Sequence, residues 1–301
     1  MTVIIPKEKI FYAFSSSLNP IYIVQKGEEF ILETYDCFEG QIKKATDLTD
    51  QLDWNHINPA TGPVYIQDVK PGDILRINIL EVKVAKQSVI TAVPNQGTLG
   101  NIIENSETKI LERKGNILFF NNHLKIPINP MIGVIGVAPK FGSISNGIPD
   151  KHGGNLDCAK VCKGNKIYIT SQIPGALFGC GDLHTVMGDG EIIATGAETA
   201  GSVRFRIDTV NLEGLPTPFL EDPEYVSTIA SSPSIDEATY QATHAMADFL
   251  KMFVGISINE IGMLMSLVGN LRFCQVVDPN RTIRFEFPKW VLKEYGFTMP
   301  I

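Results

Sequence analysis

Positive charge is in short supply in this 301-residue chain, where 26 Lys and Arg face 33 Asp and Glu for a formal charge of −7. The pI is near 5.3 and no dense basic stripe with interleaved aromatics interrupts the acidic balance, which excludes a nucleic-acid partner. Long apolar runs are missing too. Nowhere do 18 apolar residues follow one another, and the opening M-T-V-I-I-P-K-E-K-I-F-Y-A-F has neither an uninterrupted apolar stretch nor a small-residue cleavage site, so neither export nor membrane insertion is expected. The five cysteines (Cys37, Cys158, Cys162, Cys180, Cys274) are an odd number without paired C-x-x-C knuckles, which speaks against a disulfide scaffold or a zinc finger and for a reducing cytoplasm. Repeats and low-complexity tracts are absent.

What is present is a globular composition, 44% hydrophobic and 20% charged, on a chain long enough for one elaborate domain or two ordinary ones. From residue 1 to about 210, β-type runs such as Val64-Tyr65-Ile66, Ile74 to Val84 and Ile167-Tyr168-Ile169 alternate with Gly, Pro and Asn punctuation, the pattern of a sandwich or barrel. The run Ile74–Val84 is partly apolar on both faces, which predicts an inner strand, and Pro71-Gly72-Asp73 ahead of it is turn chemistry.

The last third changes character. Ser234-Ile235-Asp236-Glu237 and Ser257-Ile258-Asn259-Glu260 each match a capping box ahead of a helical apolar pattern. Ala238, Ala242, Ala245, Met246, Phe249, Leu250 and Phe253 form one stripe and Ile261, Leu264, Met265 and Val268 a second, both read as core. Two strands flanking Asp278-Pro279-Asn280 and a short helix from Lys289 to Tyr295 follow. Leu212 to Ser234, with four prolines, reads as a linker or surface excursion. The division expected is a β-domain at 1–211 carrying the active site and an α+β subdomain at 212–301.

The densest chemistry lies in N-G-I-P-D-K-H-G-G-N-L-D-C (146–158), G-C-G-D-L-H-T-V-M-G-D-G-E (179–191) and A-E-T-A-G-S-V-R (197–204). His152, Asp157, Asp182, His184, Asp189, Glu191 and Glu198 are hard or borderline metal ligands and acid/base groups, and the glycines between them permit positive φ and close backbone approach. On a strand, Asp182 and His184 share a face because side chains alternate with period two, so one metal could take both. Asp157 and Glu198 would supply further ligands and leave a position for water. Such a set suits Zn²⁺, Mn²⁺ or Fe²⁺, or Ca²⁺ where carboxylates dominate. A catalytic Zn²⁺ brings bound water to a pKa of about 7 and polarises a carbonyl, which makes hydrolysis of a carbonyl compound the natural reaction.

Competing readings stand beside this one. Asp-Gly and Gly-Asp pairs are common turn formers. Cys158 and Cys180 raise a thiol nucleophile, although a free Cys is more often a small buried apolar residue. A non-catalytic β-sandwich holding Ca²⁺ through Asp157, Asp182 and Glu191 is the alternative from another class. His56, ahead of a turn-rich segment, could wall a pocket, while His123 and His244 read as structural. Gly133-x-x-Gly136 lacks the Lys-Ser/Thr ending of a phosphate loop.

N-P-A-T-G-P at 58–63, P-G-D at 71–73, I-G-V-I-G-V-A-P at 132–139, G-G-N-L-D at 153–157 and G-D-L-H-T-V-M-G-D-G-E at 181–191 resemble the acetamidase/formamidase family, in order and across about residues 50–211. The resemblance implies hydrolysis of formamide or acetamide to ammonia and the carboxylate, on a twisted β-sandwich with an α+β portion that supports a homodimer. It also implies a divalent metal, Zn or Ca, near the G-D-L-H segment. Carried onto this chain, the metal groups are Asp157, Asp182, His184 and Glu191, the catalytic acids and bases Glu198, His152 and His184, and the substrate contacts His56 and Asn155. Trp54-Asn55-His56 departs from the basic residue that relatives often carry there, which leaves substrate choice open.

Overall fold

The computed structural model describes residues 2–300 and is built mainly of strands, with α-helices confined to the last quarter. Strands from both ends of the chain form a nine-stranded sheet in the order Val3–Ile5, Glu29–Thr34, Gly201–Val210, Ile74–Val84, Lys166–Thr170, Phe219–Glu221, Tyr225–Ser232, Arg281–Pro288 and Asn270–Gln275. Ile74–Val84 is an inner strand, paired antiparallel to Gly201–Val210 on one side and Lys166–Thr170 on the other. Its two apolar faces are both used: Leu75, Ile77 and Ile79 join the main core and Ile74 joins the helical one.

A second, 11-stranded sheet has Phe178–His184 near its centre, paired with Met131–Gly136, Glu198–Thr199 and Ala60–Ile66. The two sheets pack face to face, as in a sandwich. Phe30 and Phe205 from the first meet Phe178 from the second edge-on, with ring centroids 6.2 and 5.1 Å away. Leu32, Ile77 and Val203 complete the same core with Ile132, Ile135, Cys180 and Leu183.

The C-terminal helices α1 (Ile235–Phe253), α2 (Ile258–Val268) and α3 (Lys289–Glu294) pack on a separate apolar cluster that includes Phe219, Met246, Phe249, Phe285 and Phe287. Ser257 caps α2 with a complete reciprocal box, its hydroxyl accepting from Glu260 N while Glu260 accepts from Ser257 N. The expected second box is only half made. Ser234 accepts from Glu237 N at 3.4 Å, but the Glu237 carboxylate instead takes a hydrogen bond from Gln241 one turn on.

Leu212–Ser234 is not a linker. It contributes Phe219–Glu221 and Tyr225–Ser232 to the nine-stranded sheet, where Phe219, Leu220, Val226 and Thr228 are buried. Four prolines disguise it because they sit at the strand ends, where the missing N–H costs no ladder bond. The sheet therefore runs without a break from the first 211 residues into the last 90, and both apolar clusters draw on both parts: Leu220, Ile229 and Cys274 join the main core, Ile74 and Tyr168 the helical one.

Candidate active site

His184, 0% exposed, is the centre of a buried acidic cluster on the 11-stranded sheet. Its Nε2 lies 3.1 Å from Glu198 Oε2, 3.3 Å from Asp182 Oδ1 and 3.8 Å from Asp157 Oδ1. Asp182 and His184 end the strand Phe178–His184, and Glu198 stands directly across from His184 in the next strand. Asp157 follows the strand Gly153–Asn155, and Glu191 arrives from the Gly188–Glu191 turn to join Asp157 and His184, ligand atoms within 4.8 Å of one another.

The strand is kinked where it carries the site. Phe178 and Cys180 face the sandwich core before Asp182, and Leu183 faces it after, so the alternation slips at Asp182, whose φ is +53°. Opposite it stands Gly133, and this pair alone drops out of an otherwise continuous ladder between Ile132↔Leu183 and Val134↔Gly181. A Cβ on Gly133 would meet Asp157 Oδ1 at 2.4 Å and Asp182 Oδ2 at 2.6 Å, so glycine there makes room for two carboxylates. Gly196 does the same for the imidazole, since its Cβ would lie 2.6 Å from His184 Nδ1. Asp157, Asp182 and Glu191 all hold left-handed φ, between +40° and +53°. Such strain persists where the surroundings over-determine it, and it gathers at functional sites.

The electrostatics are unbalanced. Among the described residues Asp157, Asp182 and Glu198 pair only with His184, and no Lys or Arg enters. Both oxygens of Asp157, one each of Asp182 and Glu198, and both ring nitrogens of His184 are buried without a hydrogen bond. Buried charge of this density requires protons or a cation. Burial and neighbouring carboxylates push Asp157 and Glu191 well above the usual carboxylate range, and burial pushes Glu198 to about 7 against the pull of His184. Burial lowers His184, but Glu198 and Asp182 outweigh it and hold its pKa well above the ordinary value. Asp182 is raised by burial and lowered more by His184, for a net fall. The orphaned atoms of Asp157, Asp182 and His184, with Glu191 alongside, converge where Gly133 and Gly196 leave room for those side chains, and this donor set fits a divalent cation with Glu198 beside it.

Other expected residues go elsewhere. His152 is buried against Phe14 and beside Gly154, with neither ring nitrogen hydrogen-bonded, and burial lowers it to about 4. Asn155 donates to Asp278 Oδ2 at 2.9 Å and leaves its own carbonyl oxygen free. His56 is outside the cluster, half-exposed and paired with Asp53 at 3.0 Å. Asp189 is not a ligand: Arg284 holds both its oxygens, at 2.8 and 2.7 Å. Cys180 is in the sandwich core with its thiol pushed up by burial, while Cys158, also in that core, is lowered to about 7 chiefly by the Cys274 thiol.

Two members were not foreseen. Cys37 lies beside Asp182 and Glu198, ligand atoms within 4.8 Å, and Asp278 faces Asn155 with burial raising it to about 7. No local pattern marks either, because Cys37 is 145 residues from Asp182 and Asp278 sits in an ordinary Asp-Pro-Asn turn. The C-terminal part also braces the site. Gly190 N donates to Cys274 O at 2.8 Å, and Asn280 donates to Pro149 O at 2.9 Å.

The sequence profile of the Acetamidase/Formamidase family matches this chain over residues 6–146 and 143–289. The chain belongs to that family. A crystal structure of an acetamidase from Bacillus halodurans superposes with a TM-score of 0.97 at 39% identity, covering 98% of this chain and 100% of the other. One of a predicted acetamidase/formamidase from the thermophile Thermoanaerobacter tengcongensis gives 0.96 at 40%, covering 99% of each. The formamidase of Methylophilus methylotrophus is 23% identical over 305 residues, 81% of this chain and 71% of its own. The chain spans between 62% and 71% of the length of the curated relatives it matches. Among the described residues no helix is long and apolar enough to cross a membrane.

Proposed function

We propose that this protein hydrolyses primary amides, with formamide and acetamide as the reference substrates, to ammonia and the carboxylate. The observation that carries the reading is the convergence of orphaned ligand atoms from Asp157, Asp182, His184 and Glu198 in a chain of this family. Asp157, Asp182, His184 and Glu191 would hold a divalent cation, Zn or Ca, which when bound would supply Lewis-acid polarisation of the amide carbonyl and a lowered pKa of water.

The protein's own groups do the rest. Glu198 is the proton carrier: burial raises its carboxyl above the usual carboxylate range, and it accepts a proton from attacking water and returns it to the departing nitrogen. Gly196 N donates to Glu198 Oε1 at 2.7 Å and fixes that carboxylate while its other oxygen faces His184. His184, held cationic by Glu198 and Asp182, orients both and offsets part of their charge in the absence of metal. His152, kept neutral by burial, is a second candidate for the proton, and Asn155 offers a free carbonyl oxygen to the substrate's NH₂.

A homodimer is part of the reading, supported by apolar Met263 and Leu267 on α2 beside Leu271 and Phe273 of the edge strand Asn270–Gln275, all exposed. A cytoplasmic setting is supported by five free cysteines. The test is ammonia release from formamide, acetamide and propionamide, before and after chelation and with Zn²⁺, Mn²⁺ or Ca²⁺ restored. Release abolished by chelator and restored by one metal is the expected result; chelator-insensitive release overturns the metal, and no release under any condition overturns the reaction.

A further inference from the structure

An apolar cleft of about 360 Å³ opens beside the acidic cluster, between the strands Gln87–Ala92, Glu107–Lys114 and Ile117–Phe119 and the loop that follows His184. Its walls include Ile90, Leu118, Phe120, Ile126, Val186 and Ile192. Most of these belong to a small apolar cluster apart from the sandwich core, so the cleft is not a packing defect of that core. A larger cavity, about 680 Å³, is lined by Lys86, Glu112, Arg113 and their neighbours and includes none of the site acids.

The cleft touches the site at two points. Glu191, at its floor, belongs to the group with Asp157 and His184. Gly196, also in its lining, sits over the His184 ring and donates to Glu198. Apart from Asp189, Glu191 and Thr195 the lining offers no polar side chain, so nothing in it recognises a charged or sugar-like group. Its volume falls in the range of about 300–1,000 Å³ typical of ligand sites, whereas acetamide has only four heavy atoms.

The geometry points to a hydrocarbon subsite: amides with an unbranched or aromatic acyl group of about six to eight carbons are better substrates than acetamide, their apolar part lying in this cleft and their carbonyl at Glu191. This rests on the amidase reading and deepens it. The reaction is unchanged; the C–N bond breaks, water supplies hydroxyl to the acyl carbon, and its remaining proton joins the NH₂ group, which leaves as ammonia.

Each methylene moved from water into an apolar wall is worth about fourfold in binding. Hexanamide carries four more than acetamide, so its kcat/KM should exceed acetamide's by roughly tenfold or more after losses to incomplete burial. Val186→Phe narrows the cleft and should lower the hexanamide-to-acetamide ratio by about tenfold; Ile126→Trp, from the opposite wall, should do the same if Val186→Phe folds poorly. A flat or falling series in the wild type overturns the subsite, as does a ratio indifferent to both substitutions, the result expected if a second copy of the chain fills the cleft. If neither acetamide nor hexanamide is turned over, the amidase reading has failed instead, and calorimetric titration with hexanamide decides the subsite. Saturable binding weakened by Val186→Phe supports it, and no binding overturns it.

Discussion

Two buried acidic clusters in this molecule are built in opposite ways. Around Glu221 and Asp222 every carboxylate has a cation: Lys289 lies 2.6 Å and Lys166 3.1 Å from Glu221, Tyr168 donates to it at 2.7 Å, and Lys160 is 2.8 Å from Asp222. Burial raises both acids, but those partners outweigh it and hold each below its ordinary pKa. Around His184, Asp157, Glu191 and Glu198 stay raised and ligand atoms are left without partners. One cluster is finished by its own side chains and serves stability; the other is finished only by something from outside, which is the mark of a site. Arg284, bound to both Asp189 and Glu286, extends the first kind to the very loop that carries Glu191.

The largest effect that separates the two is His184→Ala. Ammonia release per folded molecule should fall by about a thousandfold, while the circular dichroism spectrum of the metal-loaded protein stays close to wild type. A comparable loss of fold would dissolve the contrast.

Glu221→Gln should do the reverse. It leaves the partly buried Lys166 and Lys289 without their carboxylate and should cost about 3 kcal/mol by urea titration, with activity per folded molecule retained. Its pH dependence has a definite sign. Because Glu221 is depressed in the folded protein, its contribution is present above the unfolded value, about 4.5, and vanishes as pH falls through the folded one. The stability gap between wild type and Glu221→Gln should therefore close below about pH 4, and a gap that widens on acidification would show the pairing to be misread.

Divalent metal should stabilise only through the cluster around His184. At a hundred times its dissociation constant, Zn²⁺ or Ca²⁺ added back to chelated protein should contribute about 2.7 kcal/mol. The gain should disappear in Asp157→Asn and persist in Glu221→Gln; equal gains in both would place the cation elsewhere.

The smallest effect is the most discriminating, because Asp189 is two residues from Glu191 yet belongs to the paired kind. Asp189→Asn should cost about 1 kcal/mol of stability, discounted because its side chain is 38% exposed. Its kcat/KM should change by less than about tenfold, whereas a loss on the scale of His184→Ala would return Asp189 to the site.

Local sequence was enough wherever the chemistry is local. Ile74–Val84 is a strand at the expected bounds, Ser257 caps its helix through Glu260, and Asp182 and His184 share a face because they are two apart on one strand. Asp157, Glu191 and Glu198 were legible from glycine-rich turns dense in acids. Leu212–Ser234 is where local sequence misleads, because its prolines suggest a break and in fact flank strands whose apolar residues fill the core.

The sequence by itself determined the strand-rich class, the helices of the C-terminal part, the family and the kinds of side chain available to the site. Which acids are satisfied and which are stranded was decided only by tertiary structure. Asp189 and Glu191 look alike in G-D-G-E, and an arginine 95 residues away distinguishes them. The same holds for Cys37 and Asp278, and for Gly133, whose missing Cβ matters only because Asp157 and Asp182 fold over it. The physical reason is that charge and space are balanced in three dimensions: whether a carboxylate is a strut or a ligand depends on what burial brings beside it, and burial is not a local property of the chain.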